Sequence, residues 1–289
     1  MMRRGLAAVA TVVMVLGAAA RAEAGSAADP WAGVKVPASG GAQSLGSPAA
    51  GCIAGAEALP LDGEGYQVLR PQRNRFWGHP RTIAFVQHLG RAALAGGYGP
   101  LLVGDMSQPR GGPMSFGHGS HQNGLDVDIW FRLPGQPWSA EQLQRPEPVS
   151  MVRGTQVNPE TWTVVHYQLL KLAASSPEVD RIFVNPPIKA DACRRAGADR
   201  AWLAKLRPWW GHDEHFHVRL SCTDGDIGCV SQAPVPDGDG CGGELASWNA
   251  KPVVLPARAK DRPNRRNPVL PAACAGVLRQ PGVIEAGAR

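Results

Sequence analysis

Apolar residues recur at two different spacings along the middle of the chain. Within residues 81–97 and 160–176 they return every three or four positions, a pattern typical of helices that bury one face. A further helix is expected within ADACRRAG or within the DRAWLAKL that follows it. Shorter apolar or alternating runs bounded by Gly, Pro and Asp indicate strands. We expect strands at 100–105, 125–131, 180–185 and 214–221.

Both ends of the chain lack this periodicity. Residues 25–51 are rich in Ala, Gly, Ser and Pro, so we expect an irregular N-terminal segment there. Residues 251–289 include the basic, proline-rich stretch ARAKDRPNRRNP, which favours an extended surface strap over a further domain. The periodic part, 52–250, is predicted to be one α+β domain, with a small central antiparallel sheet flanked by helices and long loops. Frequent Gly (35 residues) and Pro (26) agree with a loop-rich protein.

Residues 1–24 are typical of a secretory signal peptide. Met1, Met2, Arg3 and Arg4 are followed by an apolar run over about 6–20 and then by small residues around ARAEAG. A charged start, a short apolar middle and an Ala-x-Ala exit are the usual features of such peptides. The apolar run is shorter than the ~20 residues of a membrane span, so we expect an exported protein without a transmembrane anchor.

Export changes the interpretation of the six cysteines. In an oxidising compartment an even number suggests three disulfides, whereas cytosolic cysteines more often bind metal or carry out redox chemistry. No Cys-x-x-Cys pair occurs, which argues against a cysteine-rich zinc knuckle. Six cysteines allow 15 connectivities, and counting alone leaves all of them open. The six are Cys52, Cys193, Cys222, Cys229, Cys241 and Cys274.

The charge of the chain restricts its partners. The net charge is +6, and removal of residues 1–24 takes away three arginines and one glutamate, which leaves about +4. This modest excess favours an anionic partner. Nucleic acid is not expected, because the sequence has no stripe of alternating basic and aromatic residues. Homodimerisation stays open, although neither a heptad repeat nor an exposed apolar helix supports it.

Three of the eight histidines lie within six residues, in WWGHDEHFHVRL. If EHFHVRL is a strand, its side chains alternate between two faces, so His215, His217 and Arg219 share one face. Two imidazoles and a guanidinium side by side are costly in a core but suit the wall of an active site. His212 comes just before this strand.

A second polar cluster lies about ninety residues upstream, in GHGSHQNGLDVDIW. His118 and His121 belong to a loop, and Asp126 and Asp128 share one face of the strand that follows. Together the two clusters supply imidazoles and a carboxylate, which catalytic zinc sites use beside an open position for water. A structural polar network is the alternative to a metal site, and spacing alone does not distinguish the two. The other three histidines are interpreted as structural: His79, His88 and His166.

These residues resemble a known zinc signature. His121 and Asp128 form H-x(6)-D, and His215 and His217 form H-x-H, as in the metallopeptidases that group lysostaphin-type enzymes, D-Ala-D-Ala peptidases and hedgehog domains. A closer resemblance is to the penicillin-insensitive murein endopeptidases, which are periplasmic enzymes. It extends over residues 52–248 and rests on RNRFWGHP, GGPMSFGHGSHQNGLDVDIW, RIFVNPPIK, RPWWGHDEHFHVRLSC and GDGCGGELASW.

The resemblance implies a role for each histidine of the two clusters. His121, Asp128 and His217 correspond to the ligands of one zinc ion, and His215 corresponds to the general base. His118 falls at a further histidine position and would join this metal or a second one, while His212 would orient water or substrate. The additional ligands of the family have no counterpart in SMVRGTQVNP, which contains neither Asp nor His, so we do not expect a second metal.

Asp126 and Arg219 are candidates for supporting roles. Carboxylates commonly orient metal-bound imidazoles, so Asp126 is expected to hold a ligand in place. Two interpretations of Arg219 stay open. It either stabilises the oxyanion or binds a carboxylate of the substrate, or it is purely structural.

The resemblance also implies a reaction, which is hydrolysis of the D-alanyl–meso-diaminopimelyl cross-links of murein. Zinc and His215 would activate water, so the reaction needs no catalytic serine. Because a β-lactam acts by acylating such a serine, its absence from the mechanism would account for insensitivity to penicillin. The alternative is a non-catalytic zinc-containing module of the same fold that binds peptidoglycan or another partner. The disulfides that the resemblance implies are Cys52–Cys274, Cys193–Cys241 and Cys222–Cys229.

Overall fold

The computed structural model describes residues 28–250 and 267–281. The predicted signal peptide and most of the basic stretch of the strap lie outside these residues. The strands are β1 (Gln43–Ser47), β2 (Ala50–Ala54), β3 (Glu57–Ala58), β4 (Asp62–Gly63), β5 (Tyr66–Val68), β6 (Trp77–Gly78), β7 (Leu101–Val103), β8 (Asp126–Trp130), β9 (Val152–Arg153), β10 (Gln156–Val157), β11 (Val179–Val184), β12 (Leu206–Pro208) and β13 (His215–Leu220). The helices are α1 (Asp29–Ala32), α2 (Pro80–Ala95), α3 (Ala140–Gln144), α4 (Val164–Ala174), α5 (Pro186–Arg195), α6 (Gly243–Asn249) and α7 (Ala272–Arg279), with 3-10 turns at Pro71–Arg73 and Ala201–Lys205.

The predicted α+β class is confirmed, but the central sheet is larger and more mixed than expected. Seven strands of the described residues form it, in the order β12-β11-β13-β8-β7-β5-β4. Its central pairs are antiparallel, whereas β11 with β12 and β5 with β7 are parallel. Sequence periodicity did not reveal β4, β5 and β12, because two or three residues are too few to show a period.

The long predicted elements are present. α2 and α4 correspond to the two amphipathic helices, and β7, β8, β11 and β13 to the four strands. Of the two candidates for a further helix, ADACRRAG lies in or next to α5, while DRAWLAKL contains a 3-10 turn. His79 Nδ1 accepts from the Arg81 N–H and caps α2. His166 Nδ1 accepts from the Thr163 N–H at the start of α4, so both histidines have the structural surroundings that were expected.

The two faces of the central strands have different environments. Val127 and Ile129 of β8 and Phe216 and Val218 of β13 are completely buried, in one core cluster with apolar residues of α2 and α4. Each such side chain stabilises the fold by about 1.5–3 kcal/mol. The opposite face of the same strands carries polar residues. Packing of the apolar face fixes the two strands and therefore also the positions of these polar side chains.

The expectation of an irregular segment at 25–51 was only partly right: residues 33–42 contain no helix or strand, but the residues on either side of them do. α1 precedes a hairpin in which β1 and β2 pair antiparallel, and β2 continues past the predicted domain boundary at 51/52. The glycines that suggested an irregular segment include one that is needed for close approach of the two strands. A Cβ on Gly51 would lie 2.3 Å from the Leu45 carbonyl oxygen.

All six cysteines are paired as the resemblance implied. The bridges are Cys52–Cys274, Cys193–Cys241 and Cys222–Cys229. The first joins β2 to α7, so the described part of the strap includes a helix and is not simply extended chain. The buried Arg110 Nη1 donates to three carbonyl oxygens at the end of α7, those of Val277, Leu278 and Gln280. No helix in 28–250 or 267–281 is long and apolar enough to span a bilayer.

Candidate active site

The candidate site lies on the polar face of the two central strands. β8 and β13 pair antiparallel, with Asp128 opposite His217 and Asp126 opposite Arg219. His215 comes two residues before His217. Because side chains alternate along a strand, all five point to the same face, and the structure brings the two sequence clusters together.

His121 reaches this face from the loop that precedes β8. Its φ is +66°, in the left-handed region that residues other than glycine rarely adopt. The His121 N–H donates to Asp126 Oδ2 at 3.1 Å, which ties the loop to the strand. Its fully buried ring places Nε2 3.3 Å from Asp128 Oδ1. A strained backbone thus delivers an imidazole to the polar face.

His121, Asp128 and His217 converge on one point. Asp128 Oδ1 lies 3.3 Å from His121 Nε2 and 3.4 Å from His217 Nδ1. Within the described part of the chain, both ring nitrogens of His121 and Oδ1 of Asp128 are buried and have no hydrogen-bond partner. A buried polar atom without a partner costs about 1–3 kcal/mol. The trio therefore fits a cation to which all three side chains would bind.

Asp126 lies beside this trio, but its oxygens are already engaged. Arg219 Nε and Nη2 donate to Oδ1 and Oδ2, both at 2.8 Å. His217 turns Nε2 toward the same Oδ2, 3.1 Å away, which leaves its Nδ1 facing Asp128. Two groups of the described residues have ligand atoms close enough for an ion, and they share His121: one adds His118 and Asp128, the other Asp126 and His217. A carboxylate already paired with a buried guanidinium is the poorer ligand, so the geometry favours an orienting role for Asp126.

Of the two roles left open for Arg219, the geometry favours the structural one. The residue is only 8% exposed, and its guanidinium donates to Gln232 Oε1 at 2.6 Å as well as to Asp126. It also lies over the Phe183 ring, with Cζ 5.1 Å from the centroid. Its donors are largely used inside the protein, which argues against contact with an oxyanion or a substrate carboxylate.

His118 meets the other oxygen of Asp128. Its Nδ1 is 3.5 Å from Asp128 Oδ2, and its Nε2 is 3.1 Å from Asp105 Oδ2. Arg75 Nη1 donates to that same Asp105 oxygen at 2.9 Å. His118 is close enough to join an ion held at Asp128. Sequence analysis missed Asp105 and Arg75, although a carboxylate at the end of an apolar strand was a usable signal.

His215 and His212 line the more open side of the site. His215 Nε2 is 3.5 Å from Asp128 Oδ2, and its side chain is 20% exposed. The His212 ring is 5.1 Å from that of His215, and its Nδ1 faces the Trp210 carbonyl at 3.3 Å. Removal from solvent lowers the pKa of His215, against the effect of Asp128. Burial, followed by the nearby His215 and His217, lowers the pKa of His212 well below its usual value.

The surrounding charges keep both carboxyl groups ionised. Burial would raise the pKa of Asp128, but the histidines around it hold that pKa well below its usual range. Burial would also raise the pKa of Asp126, and Arg219 and His217 outweigh it. Two carboxylates and a cluster of imidazoles therefore share this face of the sheet.

Known proteins match the chain over the whole of this site. Residues 44–279 match the sequence model of a family described as penicillin-insensitive murein endopeptidase. The chain belongs to this family. The match confirms the resemblance that the motifs indicated. It also reaches beyond residues 52–248 at both ends, so that it takes in all but the first residue of the hairpin of β1 and β2, as well as helix α7.

Relatives that carry the family name are similar over nearly their full length. A protein of Klebsiella pneumoniae (strain 342) is 48% identical over 273 residues, which are 93% of this chain and 97% of the relative. One of Yersinia enterocolitica is 46% identical over 255 residues, 87% of this chain and 91% of the relative. One of Pectobacterium atrosepticum is 45% identical over 280 residues, 96% of this chain and 98% of the relative.

Proposed function

We propose that the chain is a periplasmic zinc metallo-endopeptidase that hydrolyses the D-alanyl–meso-diaminopimelyl cross-links of murein. The observation that carries the proposal is the convergence of His121, Asp128 and His217, with buried atoms that lack partners, next to His215. The names of the relatives support murein as the substrate. The first 24 residues and the three disulfides support export to an oxidising compartment.

His121, Asp128 and His217 would hold one zinc ion, with His118 positioned to join them. Two imidazoles and a carboxylate are a ligand set that catalytic zinc sites use. When bound, zinc polarises the scissile carbonyl and lowers the pKa of water. Asp126 steadies both the His217 ring and the His121 backbone, and Arg219 holds Asp126 in turn.

His215 is the proposed general base. It lies next to Asp128 and stays partly open to the solvent, so both water and substrate can reach it. An imidazole is suited to accept the proton of the attacking water near pH 7 and to pass it to the amine nitrogen as the amide bond breaks. His212 lies behind His215, where it would orient the water or the substrate.

Digestion of purified, cross-linked muropeptide dimers tests this proposal. We expect the protein to convert dimers to monomers, a chelator to abolish the conversion, and added zinc to restore it. His88→Ala is a matched control, because this exposed histidine of α2 lies away from the polar face, and full activity is expected. A folded, zinc-loaded protein that leaves the dimers intact would contradict the proposal and favour the non-catalytic alternative.

A further inference from the structure

The segment RPQRNR brings three arginines to the edge of the candidate site. Two of them pair with a carboxylate of the protein, and the third does not. Arg75 and Arg73 both donate to Asp105 Oδ2, at 2.9 and 3.2 Å, so their charges are balanced within the protein. Arg70 is different. Among the residues that the structure describes, no carboxylate or other acceptor forms a hydrogen bond or ion pair with its guanidinium.

Arg70 is held on an aromatic ring that borders the site. Its Cζ lies over Trp130, 4.8 Å from the ring centroid. Trp130 is two residues beyond Asp128 on β8, about 6.6 Å along the strand, and it is directly opposite His215 on β13. Arg70 is therefore next to the side of the site where the proposed base lies.

The backbone that presents Arg70 is strained. Its φ is +51°, in the left-handed region, and it precedes the 3-10 turn at Pro71–Arg73, which is followed by Asn74 with φ +53°. The Arg70 N–H donates to the Leu143 carbonyl at 2.8 Å, which fixes the residue in this conformation. Non-glycine residues rarely adopt this conformation, and those that do cluster at ligand sites.

The charge of Arg70 is also incompletely compensated. Burial and then the neighbouring Arg73 lower its pKa, while the carboxylates of Asp105, Glu214 and Asp128 counteract this from a distance. Stacking of the guanidinium on Trp130 stabilises the cation but leaves its N–H donors without acceptors. Arg70 is partly exposed, and its unused donors can reach an anion that comes from outside the chain.

We propose that Arg70 binds the free carboxylate next to the scissile amide of a murein cross-link. The inference rests on the proposed function and names the substrate group that this part of the site recognises. In a D-alanyl–meso-diaminopimelyl link, the carbon attached to the amide nitrogen carries a free carboxylate. A guanidinium binds such a group through two parallel hydrogen bonds. Arg70 thus selects acidic cross-links over links in which this carboxylate is amidated.

Binding of intact muropeptide dimers to the metal-free full-length protein separates recognition from turnover. Calorimetry would compare dimers that carry the free carboxylate with dimers in which it is amidated. For the unchanged protein, we expect amidation to weaken binding roughly 10- to 100-fold. Arg70→Gln is expected to bind both dimers equally weakly. Arg70→Lys should keep part of the preference, because it retains the charge but loses the planar fork.

The matched control is Arg91→Gln, which removes the same charge from an exposed position of α2 on the opposite side of the sheet. It is expected to keep the full preference. The inference is overturned if folded Arg70→Gln, with an unchanged circular dichroism spectrum, still prefers the free carboxylate, or if the unchanged protein shows no preference. A protein that discriminates between the dimers but does not cleave them when zinc is supplied refutes the endopeptidase and leaves the carboxylate site standing.

Discussion

Replacement of His217 by alanine is expected to remove both metal and activity, whereas His215→Ala is expected to remove activity alone. His217 Nδ1 faces Asp128 Oδ1 at 3.4 Å, inside the trio of candidate ligands. His215 meets only the other oxygen, Oδ2, at 3.5 Å, from the more open side. Loss of a general base lowers turnover by roughly 10²- to 10⁴-fold. Zinc content after dialysis and turnover of muropeptide dimers, measured on the same preparations, check the prediction.

The two variants are informative as a pair because they change neighbouring positions on one face of β13. His88→Ala again serves as the control, with zinc and turnover both retained. Equal zinc content in His215→Ala and His217→Ala would show that the roles of ligand and base are wrongly assigned. Loss of zinc from both variants would show that His215 is also a ligand.

Asp126→Ala is expected to lower the free energy of unfolding by about 3–5 kcal/mol, the usual cost of removing one partner of a buried ion pair. The Asp126 side chain is fully buried and that of Arg219 is 9% exposed, so water does not replace the lost carboxylate. The His121 N–H also loses its acceptor. Urea denaturation of the metal-free protein measures the effect without a contribution from zinc.

An exposed ion pair provides a comparison for the buried pair of Asp126 and Arg219. Arg153 and Glu160 form an ion pair at 3.0 Å, with side chains 62% and 73% exposed. Glu160→Ala is expected to change stability by only about 0–1 kcal/mol. In the double variant Asp126→Leu, Arg219→Met, part of the lost stability should return, because neither charge of this pair is left buried without its partner. An effect of Asp126→Ala as small as that of Glu160→Ala would contradict the structural role given to this pair.

Alternation in the sequence was sufficient to predict which side chains share a face. In β8 and β13 a period of two placed Asp126 and Asp128 together, and likewise His215, His217 and Arg219, and the structure has this arrangement. The order of strands in the sheet was not predictable, because it depends on pairing between segments far apart in the chain. The strands β4, β5 and β12 of this sheet are only two or three residues long, which is too short to show alternation in the sequence.

Two arginines illustrate why site residues are harder to predict than faces. Arg219 drew attention because it alternates with His215 and His217, yet Asp126, 93 residues away, engages its guanidinium. Arg70 had no pattern to distinguish it from Arg73 and Arg75. The difference arises from Asp105 and Trp130, whose positions relative to these arginines depend on tertiary contacts. The charge of a side chain can be read from sequence, whereas its partner cannot.

The proposed zinc site consists of His121, Asp128 and His217. Anomalous X-ray diffraction at the zinc absorption edge, from crystals of the zinc-loaded full-length protein, tests it most directly. We expect one strong peak within bonding distance of His121 Nε2, Asp128 Oδ1 and His217 Nδ1, while Asp126 remains paired with Arg219. A peak bound by Asp126 in place of Asp128, or no peak on this face of the sheet, would contradict it.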